Sequence, residues 1–178
     1  MADATTAHQD SLPVSSDALL ARLRAWGVPH DLHEHVPLRT VADARTVQGA
    51  VIPDRPGAVH VKNFYLRDKK KRNHLVVLEQ DRDVDLKALG RMIGAGGVSF
   101  GSPERLMQHL GVRPGAVSPL AMVTGVDSDV RLWMDAAIGA AAVVHVHPLV
   151  NDRTVALSPD ALLDVLARFG CRPGWLEF

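Results

Sequence analysis

Hydrophobic and polar residues alternate most clearly in the segment 57–68, GAVHVKNFYLRD, and again in the segment 74–80, HLVVLEQ. Side chains on a strand point alternately to its two faces, and both faces of the first segment are largely apolar. One face carries Val59, Val61, Asn63 and Tyr65, and the other carries His60, Lys62, Phe64 and Leu66. Strands with this pattern are covered on both sides. The two segments therefore predict a central hairpin with the polar tip 68–73, DKKKRN.

Other stretches carry apolar residues at helical spacing or the residues that cap and end helices. The predicted helices are 15–26, 40–48, 85–93, 102–110 and 158–169. Further strands are predicted at 28–35, 120–124, 130–134, 142–147 and 154–157, and the stretch 131–138 also fits a helix. Helices and strands are mixed along the chain and no linker divides them. This order predicts a single α/β (mixed α+β) domain over residues 15–178, preceded by a flexible tail of residues 1–14.

Composition narrows the class of protein. The chain has 178 residues, which is enough for one domain with its own core. Its 20 basic and 20 acidic residues cancel, so nucleic acid would have to bind through a local patch and DNA binding is not expected. The single cysteine, Cys171, excludes an internal disulfide and is typical of a reducing compartment. No signal peptide is evident, and the longest apolar run, 136–144, is far too short for a membrane span. We therefore expect a cytoplasmic protein without a membrane partner.

Lys62 is the first candidate for a functional residue, because it interrupts a strand that is otherwise apolar on both faces. Removing a lysine charge from water is costly unless an anion or a hydrogen-bond acceptor meets it. Lys62 therefore either extends its ammonium group out to solvent or lines a site. Asn63 points to the opposite face of an ideal strand, so it would join the same site only through a bend or bulge.

The loop 111–119, GVRPGAVSP, is the second candidate, since it contains too much glycine and proline for regular structure. Backbone amides around Gly115 would be able to polarise a carbonyl or to hold a phosphate oxygen. The alternative is an ordinary connection between a helix and a strand. Ser118 is a poor candidate nucleophile because it lacks the G-x-S-x-G elbow and directly precedes a proline.

Two histidines near the C-terminus form the third candidate. His145 and His147 are two positions apart on a predicted strand, so they share a face and would make a two-histidine metal corner. No third ligand follows at a recognisable spacing, which argues against a metal site. His147 at the strand end, with Asn151 after it, fits either the wall of a pocket or a structural strand cap.

The hairpin tip carries the only dense run of positive charge, namely Lys69, Lys70, Lys71 and Arg72. Such a run is usually a solvated turn, but it also has the charge needed to contact a nucleic-acid backbone. Together, the candidate residues predict a pocket with a lysine, a glycine loop and a histidine. They do not by themselves specify a reaction.

Three segments resemble the YbaK/prolyl-tRNA-synthetase-associated family of aminoacyl-tRNA editing domains. They are VKNFYLRDKKKRNHLVVL (61–78), LGRMIGAGGVSFGSPERLMQHLGVRPGAVSPLAM (89–122) and HVHPLVNDRTVALS (145–158). The resemblance extends from about residue 15 to the end of the chain. Within the family the sequence is most similar to the freestanding ProX-type branch, which shares the K-N-x-x-L-x-D-K-K run. The family fold is a mixed, partly closed β-sheet flanked by helices, and its members use no metal or other cofactor.

The resemblance implies a role for each candidate residue. Lys62 corresponds to a lysine near the phosphate of the terminal adenosine of tRNA, and Asn63 to the asparagine beside it. Gly115, Ala116, Val117, Ser118 and Pro119 match the family's Gly-x-x-x-Pro loop, which orients the aminoacyl ester. His147 matches a histidine of the amino-acid pocket, close to Asn151.

The function implied by this resemblance is trans-editing, the hydrolysis of an amino acid wrongly attached to tRNA(Pro), with alanine as the expected amino acid. Its partners would be the tRNA acceptor end and prolyl-tRNA synthetase. The first alternative is the same reaction on another misacylated tRNA, such as cysteinyl-tRNA(Pro). The second is a non-catalytic module that binds tRNA or a synthetase through residues 69–72, and the third is a metal protein built on His145 and His147.

Overall fold

The computed structural model describes residues 3–178. The α-helices in this part are α1 Ser16–Ala25, α2 Val41–Val47, α3 Leu86–Met92, α4 Pro103–Leu110, α5 Met122–Gly125, α6 Ala136–Gly139 and α7 Pro159–Arg168. The strands are β1 Asp31–Glu34, β2 Ala58–Asp68, β3 Asn73–Glu79, β4 Val98–Phe100, β5 Arg131–Asp135, β6 Val143–Val146, β7 Arg153–Leu157 and β8 Gly174–Leu176. Short 3-10 helices cover Thr6–Ser11, Pro119–Ala121 and Val126–Ser128.

The strands of residues 3–178 form one mixed sheet in the order β1-β7-β6-β2-β3-β5-β8, and β4 also pairs with β2. β2 runs antiparallel to β3 and parallel to β6, so the hairpin lies at the centre of the sheet. β1 and β8 are its outer strands, which makes the sheet open. The prediction of a mixed sheet flanked by helices is confirmed; the sheet is open, whereas the family resemblance implies a partly closed one.

Two apolar cores cover the two faces of the central hairpin. The larger core packs Tyr65 and Val77 against helices α1, α4 and α7, whereas the smaller core packs Leu66 and Val76 against α3. Tyr65 and Leu66 are neighbours in sequence, so they enter different cores because strand side chains alternate. The prediction that both faces of β2 are covered is confirmed.

Several helix starts follow directly from the sequence. The hydroxyl groups of Ser15, Thr40, Ser102 and Ser158 each accept a hydrogen bond from a backbone amide in the first turn of the next helix. At Thr40 the bond is reciprocal, since Asp43 also accepts from the Thr40 amide and completes a capping box. This box fixes the start of α2, which later forms one wall of the candidate site.

The strand predicted at 120–124 is wrong. Residues Pro119–Ala121 form a 3-10 helix, and α5 follows directly. Ser118 caps this turn by accepting a hydrogen bond from the Leu120 amide at 3.2 Å, and Pro119 occupies the first helical position. The segment is apolar almost throughout, and such a pattern fits a strand or a helix equally well. In the structure Leu120 and Met122 are fully buried. The short strands β4 and β8 are also absent from the prediction.

Within the segment 1–14, which the sequence predicts to be a flexible tail, residues 3–14 contact the rest of the domain; residues 1 and 2 lie outside the described part. The Thr6 amide donates hydrogen bonds to both carboxylate oxygens of Asp152 at 3.0 Å, and the Asn151 amide donates to the Ala4 carbonyl at 2.8 Å. Leu12 is buried in the larger core. These contacts attach the N-terminal segment to the loop after β6.

The helices of the described residues are all too short or too polar to cross a bilayer. This finding agrees with the apolar run 136–144, which divides into α6 and the start of β6 instead of forming one long helix.

Candidate active site

The candidate site lies at a gap in the hydrogen bonding of β2. β3 occupies one edge of this strand, while the opposite edge pairs with β6 at 58–60 and with β4 at 66–68. Between these two strands, residues 61–64 have no ladder partner on that edge within the described part of the chain. A cleft of about 280 Å³ opens along this free edge.

The gap accounts for the position of Asn63. Four consecutive residues of β2, from Val61 to Phe64, line the cleft, although their side chains alternate between the two faces of the sheet. A ligand that approaches a strand along its free edge meets side chains from both faces. Lys62 and Asn63 therefore border the same cleft without a bulge in the strand.

The remaining walls come from three other parts of the chain. They are the loop and helix around α2, the glycine loop and the histidine after β6; the residues are Leu38, Arg39, Thr40, Val41, Ala44, Gln80, Gly115, Val117 and His147. The cleft thus brings together the lysine, the glycine loop and the histidine that the sequence singles out.

Lys62 is held at the cleft wall by a backbone acceptor. Its ammonium group donates a hydrogen bond to the carbonyl of Arg82. Arg82 in turn donates from Nε to Asp135 Oδ2 at 2.7 Å, and Asp135 is only 1% exposed. Burial opposes ionisation of Asp135, but hydrogen bonds from Arg82 and from backbone amides keep its pKa below the ordinary value. The acceptor for Lys62 is therefore fixed by an ionised, buried carboxylate.

The glycine loop approaches the cleft in a conformation that suits only glycine. Gly115 has φ +92°, and a Cβ at this position would lie 3.2 Å from Asn151 Nδ2. Val117 also lines the cleft, whereas Ala116, Ser118 and Pro119 are buried outside the cleft lining. Asn151 is fully buried behind Gly115, and neither atom of its side-chain amide has a partner in the described residues.

His147 is kept neutral and in one tautomer. Its Nδ1 lies 2.8 Å from the Arg153 carbonyl, which only accepts, so Nδ1 carries the proton and Nε2 is free as an acceptor. Burial lowers the pKa of His147 to about 4, against a weaker opposing effect of the Arg153 carbonyl. At neutral pH this side chain therefore offers an acceptor to the cleft and carries no positive charge.

A small recess of about 40 Å³ shares Asn63 and His147 with the cleft. His145 lines this recess and stacks on His60, with ring centroids 4.3 Å apart and planes 13° apart. Asn63 Oδ1 and His145 Nδ1 are buried without a hydrogen-bond partner in residues 3–178. Unpartnered buried polar atoms are costly, so they indicate a place where a ligand or a water molecule binds.

The buried histidine stack leads to a prediction about stability and pH. Burial lowers the pKa of His145 to about 4, and the neighbouring His60 adds to the effect. The unfolded chain takes up the proton near pH 6.5 and the folded chain only near pH 4, so the unfolded state binds more protons between these values. We expect His145 alone to lower the free energy of unfolding by up to about 3 kcal/mol on acidification through this window, and His147, whose pKa is also lowered to about 4, adds to the fall. Urea unfolding at about pH 7 and about pH 4.5 measures the change.

The matched variants are His145→Gln and His8→Gln. His145→Gln removes this buried titrating group, so it should make the dependence on pH less steep, while the contribution of His147 remains. His8 is exposed, and its replacement should leave the dependence as in the wild type. An equally steep loss of stability in His145→Gln would contradict the assignment of the effect to this residue.

The hairpin tip lies outside the cleft. Lys62 and Asp68 are six residues apart on β2, which corresponds to about 20 Å. Arg72 is bound to Asp68 through Nε at 2.5 Å, so it is less available to a ligand than the exposed Lys69 and Lys70. The tip therefore forms a surface separate from the cleft.

The two histidines of the proposed metal corner make other contacts. Within residues 3–178, no three His, Cys, Asp or Glu side chains are grouped as a metal ion requires. His145 stacks on His60, while His147 uses one ring nitrogen on a backbone carbonyl.

Sequence reasoning missed the parts of the site that depend on long-range pairing. The free edge of β2 arises because β6 and β4 join it from distant parts of the chain. Gln80 and Arg39 line the cleft but belong to no motif. The capping box at Thr40 is a local signal for this part of the site, because it fixes the start of α2 directly after Arg39.

Comparisons with known proteins identify the family of this chain. The model of the aminoacyl-tRNA editing domain family matches residues 35–165. The prolyl-tRNA editing protein ProX of Acetoanaerobium sticklandii is 32% identical over 157 residues, which covers 88% of this chain and 93% of that protein. The mouse prolyl-tRNA synthetase associated domain-containing protein 1 is 32% identical over 162 residues, with 88% and 92% covered.

A solved structure supports the fold independently. The crystal structure of a candidate trans-editing enzyme for prolyl tRNA synthetase superposes with a TM-score of 0.66 at 18% identity, over 91% of this chain and 94% of that one. At this identity the likeness concerns the fold alone. The family match covers residues 35–165, which contain Lys62, Gly115 and His147. The chain therefore belongs to the aminoacyl-tRNA editing domain family.

Proposed function

We propose that this protein is a trans-editing deacylase that hydrolyses the ester of mischarged tRNA(Pro), with alanyl-tRNA(Pro) as its main substrate. The observation that carries the proposal is the meeting of Lys62, Asn63, Gly115 and His147 around one cleft at the free edge of β2. The names of the relatives, which refer to prolyl-tRNA editing and to prolyl-tRNA synthetase, point to the same tRNA.

The lining of the cleft suits hydrolysis by a positioned water molecule. Thr40 supplies the only hydroxyl group among the described residues that line it, and this group caps α2 by accepting from the Asp43 amide at 3.1 Å. An aminoacyl ester is already activated, so orientation and stabilisation of the developing oxyanion supply most of the rate. A hydroxyl of the terminal ribose of the tRNA is well suited to assist the water.

Each residue at the cleft then has a defined task. Lys62 attracts the phosphate of the terminal nucleotide, because it is the one lysine of the cleft lining in the described chain. The loop with Gly115 brings backbone amides towards the ester. His147, neutral at pH 7, borders the amino acid as an acceptor.

The size of the recess supports alanine as the amino acid. Its volume of about 40 Å³ is close to the space of one water-sized group, which is also the size of a methyl group. The ring of proline, the correct amino acid, adds further methylene groups that the recess would not hold. A synthetase pocket built for proline rejects the smaller alanine only weakly, so a second site that admits small residues restores accuracy. Cysteine is the nearest competitor, as its side chain has only one heavy atom more than alanine.

Two partners follow from this proposal. The exposed lysines of the tip, Lys69 to Lys71, contact the phosphate backbone of the tRNA outside the cleft. Prolyl-tRNA synthetase, which produces the mischarged tRNA, delivers the substrate. Arg72 forms an ion pair with Asp68, so it stabilises the tip and contacts RNA more weakly than the three lysines do.

Deacylation of alanyl-, cysteinyl- and prolyl-tRNA(Pro) under single-turnover conditions tests the proposal. We expect rapid hydrolysis of the alanyl ester, slower hydrolysis of the cysteinyl ester and none of the prolyl ester above the spontaneous rate. Faster cleavage of the cysteinyl ester would transfer the assignment to that substrate. Binding of tRNA(Pro) without hydrolysis of any ester would instead support a non-catalytic binding module.

A further inference from the structure

A second cavity among the described residues is larger than the cleft. A groove of about 880 Å³ lies at the end of the sheet where the hairpin tip meets the start of β5, the start of β8 and the end of α7. Its charged lining residues are Lys71, Arg72, Asp129, Arg131 and Arg172. Nothing in the proposed chemistry of the cleft uses these residues.

The groove is strongly positive although the chain as a whole is neutral. Lys71, Arg131 and Arg172 are exposed, and none of them forms an ion pair with another described residue. Arg72 is also positive but is paired with Asp68. Asp129 is the only carboxylate that lines the groove in the described chain. Since Asp68 neutralises Arg72, three unpaired cations and one carboxylate line the groove, and this excess of positive charge suits an extended polyanion.

Two further arginines extend the positive surface next to the groove. Arg67 and Arg105 have no carboxylate partner in residues 3–178, and their Nε atoms are buried without a hydrogen-bond partner. Arg105 donates from Nη2 to Asn73 Oδ1 at 3.2 Å, and Asn73 also lines the groove. Burial, together with the charges of Arg105 and Arg67, lowers the pKa of His109. The two guanidinium groups thus create a positive potential beside the groove that no protein acid among the described residues cancels.

The near end of this positive surface lies about 17–20 Å from Lys62 along β2. Arg67 is five residues beyond Lys62 on β2, or about 17 Å, and the tip begins about 20 Å away. The groove continues from the tip across β3, β5 and β8, which are spaced about 4.8 Å apart. A single-stranded 3′ end would cover the first distance, and a double-helical stem would follow over the groove.

We propose that the groove and the pair Arg67–Arg105 bind the phosphodiester backbone of the tRNA acceptor stem while its 3′ end occupies the cleft. This inference rests on the proposed function, because the cleft defines where the 3′ end lies. The contacts are made to phosphates, so they fix the register of the stem without reading its sequence. RNA is the occupant because several unpaired cations, among them Lys71, Arg131 and Arg172, line one groove, which suits the repeated negative charge of a phosphodiester backbone.

The test compares a full tRNA with a minimal substrate. The variant Arg131→Gln/Arg172→Gln removes two exposed charges of the groove, and Arg24→Gln/Arg91→Gln removes two exposed arginines on helices that do not line it. On alanyl-tRNA(Pro) at low salt we expect the groove variant to raise KM on the order of tenfold with kcat unchanged. The slope of log KM against log salt should fall by about 2. On alanyl-CCA trinucleotide the groove variant and the wild type should be equal.

Each outcome has a separate meaning. An unchanged KM and salt slope for the groove variant on full tRNA would overturn the inference, as would an equal loss with the control variant. An equal loss on the trinucleotide would also overturn it, because the effect would then arise in the cleft. A loss that emerges only when prolyl-tRNA synthetase is present would overturn it as well and assign the groove to a protein partner.

Failure of the proposed function is recognised independently. If wild-type protein hydrolyses neither alanyl substrate, the deacylase assignment fails. Binding of uncharged tRNA(Pro), measured by filter retention for wild type and the groove variant, still tests the groove in that case. Equal affinity of the two proteins at low salt would then refute the inference, and a weaker, less salt-dependent affinity of the groove variant would support it.

Discussion

Replacing Lys62 by methionine is expected to lower kcat/KM for alanyl-tRNA(Pro) by about 100-fold, which corresponds to a loss of about 2.7 kcal/mol in transition-state stabilisation. The methionine keeps most of the aliphatic stem that packs in β2 but removes the charge. We expect this loss of activity because Lys62 is the lysine of the cleft lining and its ammonium group is already held in place by the Arg82 carbonyl. Single-turnover deacylation with wild type and variant measures the effect.

Two controls separate this effect from general damage. Lys87→Met changes an exposed lysine on α3, outside the cleft, and should retain wild-type activity. The free energy of unfolding of Lys62→Met should stay close to that of the wild type, since the variant loses one partly buried hydrogen bond within the described chain. Wild-type activity in Lys62→Met would remove the lysine from the mechanism and leave it with a structural role.

Local signals in the sequence predict much of the fold because they act within a few residues. The helix starts predicted at positions 15, 40, 102 and 158 are confirmed, because the residue at each position accepts a hydrogen bond from an amide in the first turn of its helix. The hairpin is likewise confirmed, since both faces of β2 are apolar and the tip is polar. The stretch 120–124 fails for the opposite reason: it is apolar almost throughout, so it carries no period to distinguish a strand from a helix.

The site itself is only half visible in the sequence. Lys62 can be selected as a charge in an apolar strand, but nothing nearby indicates that the Arg82 carbonyl accepts its hydrogen bond. Strand alternation alone separates Asn63 from Lys62, and the cleft that unites them emerges only once β6 and β4 are known to share one edge of β2. The groove cations come from positions as distant as Lys71 and Arg172, so only the folded chain brings them together.

Gly115→Ala is expected to cause the second large effect, with a loss of about 2–4 kcal/mol in stability and a severe loss of deacylation by the molecules that remain folded. At φ +92° an alanine is strained, and its Cβ would lie 3.2 Å from Asn151 Nδ2 and 3.7 Å from the Leu38 carbonyl. Asn151 is fully buried and has little room to move, so the loop must shift by a few tenths of an ångström. That shift displaces backbone that lines the cleft, and positioning errors are costly in catalysis. Urea unfolding and single-turnover deacylation measure the two losses.

The control for backbone strain alone is Gly27→Ala. Gly27 has φ +67°, and a Cβ added there would meet no heavy atom within 4 Å, so an alanine is strained without being crowded. We expect it to lose only about 1–2 kcal/mol in stability and no activity. The crowding is tested by adding Asn151→Ala to Gly115→Ala, which should destabilise by less than the sum of the two single changes. If the losses of stability are additive, the close approach to Asn151 does not cause the strain. If Gly115→Ala is also as active as Gly27→Ala, the shape of this loop does not govern the reaction.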